Sequence, residues 1–317
     1  MRRLAIASAV VIGVLLIPAN AMAAGLWARS DGNALTTSSG VTSFTKSGPG
    51  QYEVQFNRNV KPCAYLATTS SRYTGDASYG SVFTSGGLSD NHSVHIETKN
   101  PGGGLQDFRF NLVVQCPTTS NAIRFAVFRK NGTLARGSAG TSMTTGANGQ
   151  YNVHYDRNMA TCTDIATIGD PSTNLVLGPG YVFANTGKPA SSVYIETKNP
   201  GGGLSKYPAH TASYCSATSP TLLGAVVGED GTLARGHAGV SSTRTGLGTY
   251  EVTFPQDVAA CAKVASIGAI DNTLVFNPGA IDVYDGPTAQ TVDIRIQNLL
   301  FFAGANLDRP FHLLVAC

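Results

Sequence analysis

Apolar and polar residues alternate along three well-separated stretches of the chain. Tyr52-x-Val54-x-Phe56 is the first, followed by Tyr151-x-Val153-x-Tyr155 and Tyr250-x-Val252-x-Phe254. A period of two places every second side chain on one face, so each stretch predicts a half-buried strand. Val94-x-Ile96, Val193-x-Ile195 and Val292-x-Ile294 predict a second strand common to the three regions. Phe110-x-Leu112-x-Val114-x-Cys116 and Phe311-x-Leu313-x-Val315-x-Cys317 predict a closing strand. The middle region carries Ala209, Thr211 and Ser213 before Cys215 instead. Its closing strand is expected to be less buried, or to lean on a neighbour. Asn131-Gly132 and Asp230-Gly231 are hairpin turns by composition. Asn100-Pro101-Gly102-Gly103-Gly104 and Asn199-Pro200-Gly201-Gly202-Gly203 are loops. No segment sustains a helical period.

These stretches are copies of one unit. Tyr52, Tyr151 and Tyr250 are 99 residues apart, as are Cys63, Cys162 and Cys261. Cys116 and Cys215 keep the same spacing, and Cys317 follows 102 residues later. A unit this long is a small domain, not a solenoid repeat. Seven or eight short strands per unit predict an all-β chain of three tandem antiparallel β-sandwich, jelly-roll-like domains. The predicted layout is a signal peptide over 1–23, repeats over 24–116, 122–215 and 221–317, and polar linkers over 117–121 and 216–220. Three beads on a string, with interfaces either loose or fixed, is the expected arrangement.

Composition agrees with strands and turns. Of 317 residues 36 are glycine, 13% are charged and 42% are hydrophobic. A disordered chain would carry more charge and less apolar mass. Arg2 and Arg3, the apolar run from Leu4 to Ile17, Pro18 and Ala21-Met22-Ala23 read as an export signal cleaved after Ala23. Loss of those two arginines takes the formal charge from +3 to +1. With no basic stripe, nucleic acid is a poor candidate partner. The expected product is soluble and exported, free or held non-covalently at a surface, with no membrane insertion.

The six cysteines fall two to a repeat, which for an exported chain implies disulfides. Repetition selects Cys63–Cys116, Cys162–Cys215 and Cys261–Cys317. No Cys-x-x-Cys pair competes with this reading.

Candidate chemistry is sparse. His-Glu-x-x-His, Gly-x-Ser-x-Gly, P-loop and dinucleotide motifs are absent from the sequence. His95 aligns with Tyr194 and Asp293, and Glu97 and Glu196 align with Arg295. A catalytic group would not change type in this way, so Glu97-Thr98-Lys99 and Glu196-Thr197-Lys198 read as a solvated strand face. Asp31-Gly32-Asn33 and Glu229-Asp230-Gly231 read as turns, not calcium ligands. Trp27, Tyr73, Tyr79 and Tyr181 are the aromatic residues that would serve a sugar platform. Arg136 and Arg235 recur in Gly-Thr-Leu-Ala-Arg-Gly, whereas repeat one has Leu35-Thr36-Thr37. These arginines either read an anionic partner or brace a hairpin within their own domain. Leu299-Leu300-Phe301-Phe302 replaces a glycine-rich loop in repeat three. It is either an exposed contact for a partner or for self-association, or an extension of the core. No cofactor, metal or catalytic residue is assigned.

Gly248-Thr249-Tyr250-Glu251-Val252-Thr253-Phe254, then Cys261, then Phe311 to Cys317 form a pattern that resembles a repeat domain of secreted bacterial proteins. The Gly-x-Tyr-x-Val-x-Phe strand is also similar to one in complement-type jelly-roll heads and phage-fibre tips. That likeness implies binding and trimerisation. The expected function is a non-enzymatic exported protein that binds a surface, glycan or protein through several linked sites. The alternative is a structural subunit of an extracellular assembly, and a hydrolase or protease inhibitor ranks last.

Overall fold

The computed structural model describes residues 25–71, 80–175, 178–187, 189–271, 279–298 and 305–317. The expected signal segment over 1–23, Tyr73, Tyr79 and Leu299 to Phe302 lie outside the described residues. Among the described residues every regular element is a strand, and no helix is long and apolar enough to cross a membrane.

Repeat one contributes β1 (Leu26–Ser30), β2 (Leu35–Ser39), β3 (Val41–Gly48), β4 (Gln51–Phe56), β5 (Ala64–Ser70), β6 (Ser81–Gly86), β7 (Ser93–Lys99) and β8 (Arg109–Gln115). Repeat two follows with β9 (Ile123–Phe128), β10 (Leu134–Gly137), β11 (Ser142–Thr145), β12 (Gln150–His154), β13 (Thr163–Ile168), β14 (Tyr181–Thr186), β15 (Ser192–Lys198) and β16 (Ala209–Tyr214). Repeat three has β17 (Leu222–Val227), β18 (Leu233–Gly236), β19 (Ser241–Gly246), β20 (Thr249–Thr253), β21 (Ala262–Ile267), β22 (Ala280–Asp285), β23 (Thr291–Asn298), β24 (Ala305–Asn306) and β25 (Phe311–Ala316).

Each repeat folds the same way. One antiparallel sheet is ordered β2-β1-β8-β5 in repeat one, with counterparts β10-β9-β16-β13 and β18-β17-β25-β21. The other is β3-β4-β7-β6, with counterparts β11-β12-β15-β14 and β19-β20-β23-β22. In repeat one, Leu26, Tyr65, Phe110 and Leu112 from the first sheet share a core with Tyr52, Val54, Val94 and Ile96 from the second. The three disulfides join the pairs read from the repetition. Each links the residue before the first sheet's edge strand to the residue after its neighbour, closing the end of a paired ladder.

The Gly-x-Tyr pattern has a steric cause. Gly50, Gly149 and Gly248 hold φ of 64°, 74° and 62°, where glycine is favoured. A Cβ at each would fall 2.4–2.5 Å from the carbonyl oxygen of Thr98, Thr197 or Ile296. The turn thus seats the following tyrosine in the core, where Tyr52 tilts against Phe110 at 5.1 Å and Tyr250 against Phe311 at 5.1 Å.

The repeats are not beads on a string. Trp27, Leu66 and Val113 of repeat one, Phe125, Ile165 and Ala212 of repeat two, and Val264 and Leu314 of repeat three bury one another in a common core. Trp27 is 7% exposed there and offers no platform to a sugar. The closing strand β16 is buried throughout: Ala209 faces the core of its own repeat, and His210 on the opposite face bonds to repeat one. The Glu-Thr-Lys face is buried as well. Glu97 and Lys99 are 4% and 6% exposed and pair at 2.9 Å, and Glu196 and Lys198 repeat this at 3.2 Å. Lys99 lies over the Phe83 ring, which packs on Ile168 of the next repeat. A solvated face in an isolated domain has become a covered one.

Backbones also meet between repeats. Thr84 bridges Gly169, and Val283 bridges Ser70, so the sheets of repeats three and one run on as one nine-stranded sheet. A Cβ on Gly268 would lie 1.8 Å from the carbonyl oxygen of Ala184. The Gly268→Ala variant is expected to lose about 1–3 kcal/mol or more through forced separation of repeats two and three. Urea unfolding measures it, and an unchanged midpoint would refute the close approach.

Candidate functional site at the junctions between repeats

Three hydroxyls tie the repeats in a closed ring. Thr68, Thr167 and Ser266 are 99 residues apart on β5, β13 and β21. Thr167 Oγ1 donates to Ala67 O at 3.0 Å and accepts from Ala67 N–H at 2.8 Å. Ser266 Oγ does the same with Ala166, at 3.0 and 2.9 Å. Thr68 Oγ1 closes the circle with Ala265, at 3.0 and 2.8 Å. Strand side chains here satisfy the spare backbone groups of the adjoining repeat, which burial would otherwise leave unpaired.

The next ring of contacts obeys the same rotation with different chemistry. Tyr65 N–H donates to His210 Nδ1 at 2.9 Å, and the two rings stack at 4.8 Å. Asp164 N–H donates to His312 Nδ1 at 2.8 Å. Each imidazole therefore carries its proton on Nε2, which faces the Asp170 or Ala269 carbonyl at 3.2 and 3.1 Å. Burial, aided by Arg136, lowers the His210 pKa well below its ordinary value. Burial and Arg235 push His312 down to about 3. Burial also raises the Asp164 carboxyl to about 6.

Arg136 and Arg235 clamp these two junctions. Arg136 donates to Cys63 O at 2.8 Å across the boundary and to Pro171 O at 2.6 Å within its own repeat, and it lies over the Tyr65 ring. Arg235 donates to Cys162 O at 2.8 Å, Thr186 Oγ1 at 2.9 Å and Ile270 O. The brace is between repeats, not within one hairpin, and it engages backbone carbonyls.

The third junction, between repeats three and one, departs from the pattern at five positions. Thr37 occupies the place of Arg136 and Arg235, and Ser70 that of Gly169 and Gly268. Asn111 stands for His210 and His312, and Arg109 for Pro208 and Pro310. Arg29 sits opposite Asn111 in the ladder, where Val127 and Val226 sit opposite the histidines. Thr37 donates to Ala260 O at 3.0 Å, and Arg29 reaches Ala259 O and Asp285.

These exchanges line a polar cleft of about 290 Å³ bordered by Arg29, Arg109, Asn111, Lys263, Tyr284 and Asp285. Asp285 takes both Arg29 and Lys263 at 2.7 Å. Burial pulls its carboxyl upward, but the two cations outweigh it and hold the group below its ordinary value. Burial first, then Arg29, push Lys263 down to about 8. The Arg109 side chain makes no hydrogen bond or ion pair among the described residues; the backbone N–H groups of Ala34 and Asn33 lower the Asp31 carboxyl, and the Arg109 charge adds to them from a distance. Asn111 is 2% exposed, with its Oδ1 unpartnered.

Other candidates resolve locally. Asp31 and Asp230 accept backbone N–H groups of their own turns, at 2.8 Å from Asn33 and 3.0 Å from Thr232. His95 lies 3.6 Å from Glu53. Sequence reasoning missed the hydroxyl ring, although Ala-Thr, Ala-Thr and Ala-Ser recur at the period of the repeat. It also missed the cleft, although repeat one differs from both other copies at each position named. No protein family, curated protein or solved structure matches this chain.

Proposed function

We propose that this chain is an exported, non-enzymatic binding protein whose three jelly-roll-like sandwiches form one pseudo-trimeric head. The observation that carries this reading is the closed ring of Thr68, Thr167 and Ser266, by which each repeat completes the backbone bonding of the next. A trimer assembled within a single chain holds its lobes in fixed register and exposes three outward surfaces and three junctions. Because its copies have diverged, each junction can present different chemistry. Rigid placement of several sites raises effective concentration without further ordering. Three disulfides support an oxidising compartment. Repeat boundaries at 116/122 and 215/221 belong to the same proposal, and the grouping of β1–β8, β9–β16 and β17–β25 supports them.

The test is light scattering on the oxidised protein from sub-micromolar to high micromolar concentration, followed by pull-down on cell-wall and soluble glycans. One chain per particle throughout, with retention on a surface polymer, is the expected result. Stepwise oligomers would instead support a structural subunit, and absence of retention on any surface, glycan or protein would remove the binding reading.

A further inference from the structure

We propose that the cleft between repeats three and one binds a carboxylated sugar residue, such as a uronic acid unit of an acidic polysaccharide. The inference rests on the binding-protein reading and names the ligand class for one junction. Its first ground is charge. Arg29, Arg109 and Lys263 line the cleft with one carboxylate, Asp285, which is shared by Arg29 and Lys263, while Asp31 outside the lining feels the Arg109 charge without an ion pair. Arg109 keeps a planar guanidinium fork without a protein partner among the described residues, the group that matches a carboxylate in two parallel hydrogen bonds.

The second ground is Asn111. A buried amide oxygen without a donor is costly, and it is satisfied by a hydroxyl or N–H that enters the cleft. Arg109 and Asn111 are two residues apart on β8, so their side chains leave the same face about 7 Å apart. A ligand that spans them carries an anion at one end and a hydroxyl donor at the other, which describes a single hexuronate ring. The cleft volume of about 290 Å³ suits one monosaccharide unit, at the small end of ligand pockets. The third ground is broken symmetry. The residues at these positions in the other repeats are Pro208, Pro310, His210 and His312, and both histidines already have neighbouring-repeat donors. Inorganic phosphate would satisfy Arg109 but offer little to Asn111.

Calorimetric titration of the oxidised full chain with trigalacturonate at neutral pH and low salt tests the assignment. Neutral trigalactose and inorganic phosphate are the comparison arms. Trigalacturonate should bind and trigalactose should not. Arg109→Ala should weaken binding about ten-fold or more, and Arg109→Lys nearly as much, because the fork is lost. Asn111→Ala should weaken it less while leaving the dependence on salt unchanged. Thermal melting of each variant separates lost affinity from lost fold. If Arg109→Ala is misfolded, Arg109→Gln takes its place. Equal affinity for phosphate, or full affinity in a folded Arg109 variant, would overturn the site. Should trigalacturonate fail while other glycans or surfaces are retained, the cleft assignment falls and the binding head stands. Retention of nothing removes both.

Discussion

Phe125→Ala is expected to destabilise all three repeats together, by about 3–5 kcal/mol. Phe125 is fully buried on β9, but the core it fills is shared by Leu66 of repeat one and Leu314 of repeat three. Truncation leaves a cavity in the core that the three repeats share. A loss of that size is a large share of the 5–15 kcal/mol typical of folded domains. Amide hydrogen exchange provides the measurement. Protection should fall in β5, β13 and β21 alike, and calorimetry should show one transition at a lower temperature. If protection falls in repeat two alone, while repeats one and three melt as in the wild type, the shared core does not couple the repeats.

Asp164→Asn is expected to stabilise the protein at pH 8 by about 3 kcal/mol, and by almost nothing below pH 4. Asp164 is fully buried on β13, and burial raises its carboxyl in the folded state to about 6, above the ordinary 3.8. The folded protein therefore holds this proton more tightly than the unfolded chain. Its contribution is complete below the unfolded value and is lost as pH rises through the folded one. Asparagine has no proton to lose, so the variant escapes that penalty while its N–H still serves His312. His312 acts in the opposite sense, because its folded value of about 3 lies below 6.5. It favours folding above the unfolded value and withdraws that stability as pH falls towards 3. The two slopes oppose each other in the wild type, and the variant should expose the histidine limb as steeper acid denaturation. Urea midpoints across pH 3–9 distinguish the cases. An equal shift at all pH values would mean that Asp164 is not taken into the fold as the neutral acid.

Much of the local structure was legible because its causes are local. Alternation at Tyr52, Val54 and Phe56 marks a strand in any context, and each of the three copies formed one. Gly50, Gly149 and Gly248 recur because backbone lies where a side chain would be. Cysteine pairing followed from the period, since each pair closes a ladder inside its own repeat. The misreadings share a different cause. Glu97 and Lys99 have the pattern of a solvated face, and a strand pattern carries no record of what another repeat lays over it. Trp27 reads from the sequence as available for sugar, yet it fills the common core. Arg136 and Arg235 lie on hairpin strands, but each also holds a carbonyl of the preceding repeat, 73 residues back.

Sequence alone determined the strands, the period, the disulfides and the all-β class, because those depend on side-chain alternation, glycine sterics and spacing within about 100 residues. Tertiary structure decided that three copies close into a ring, and that the closing junction differs from the other two. The physical reason is that such contacts join residues up to 256 positions apart. Their energies depend on burial and on hydrogen bonds that exist only once repeat three meets repeat one.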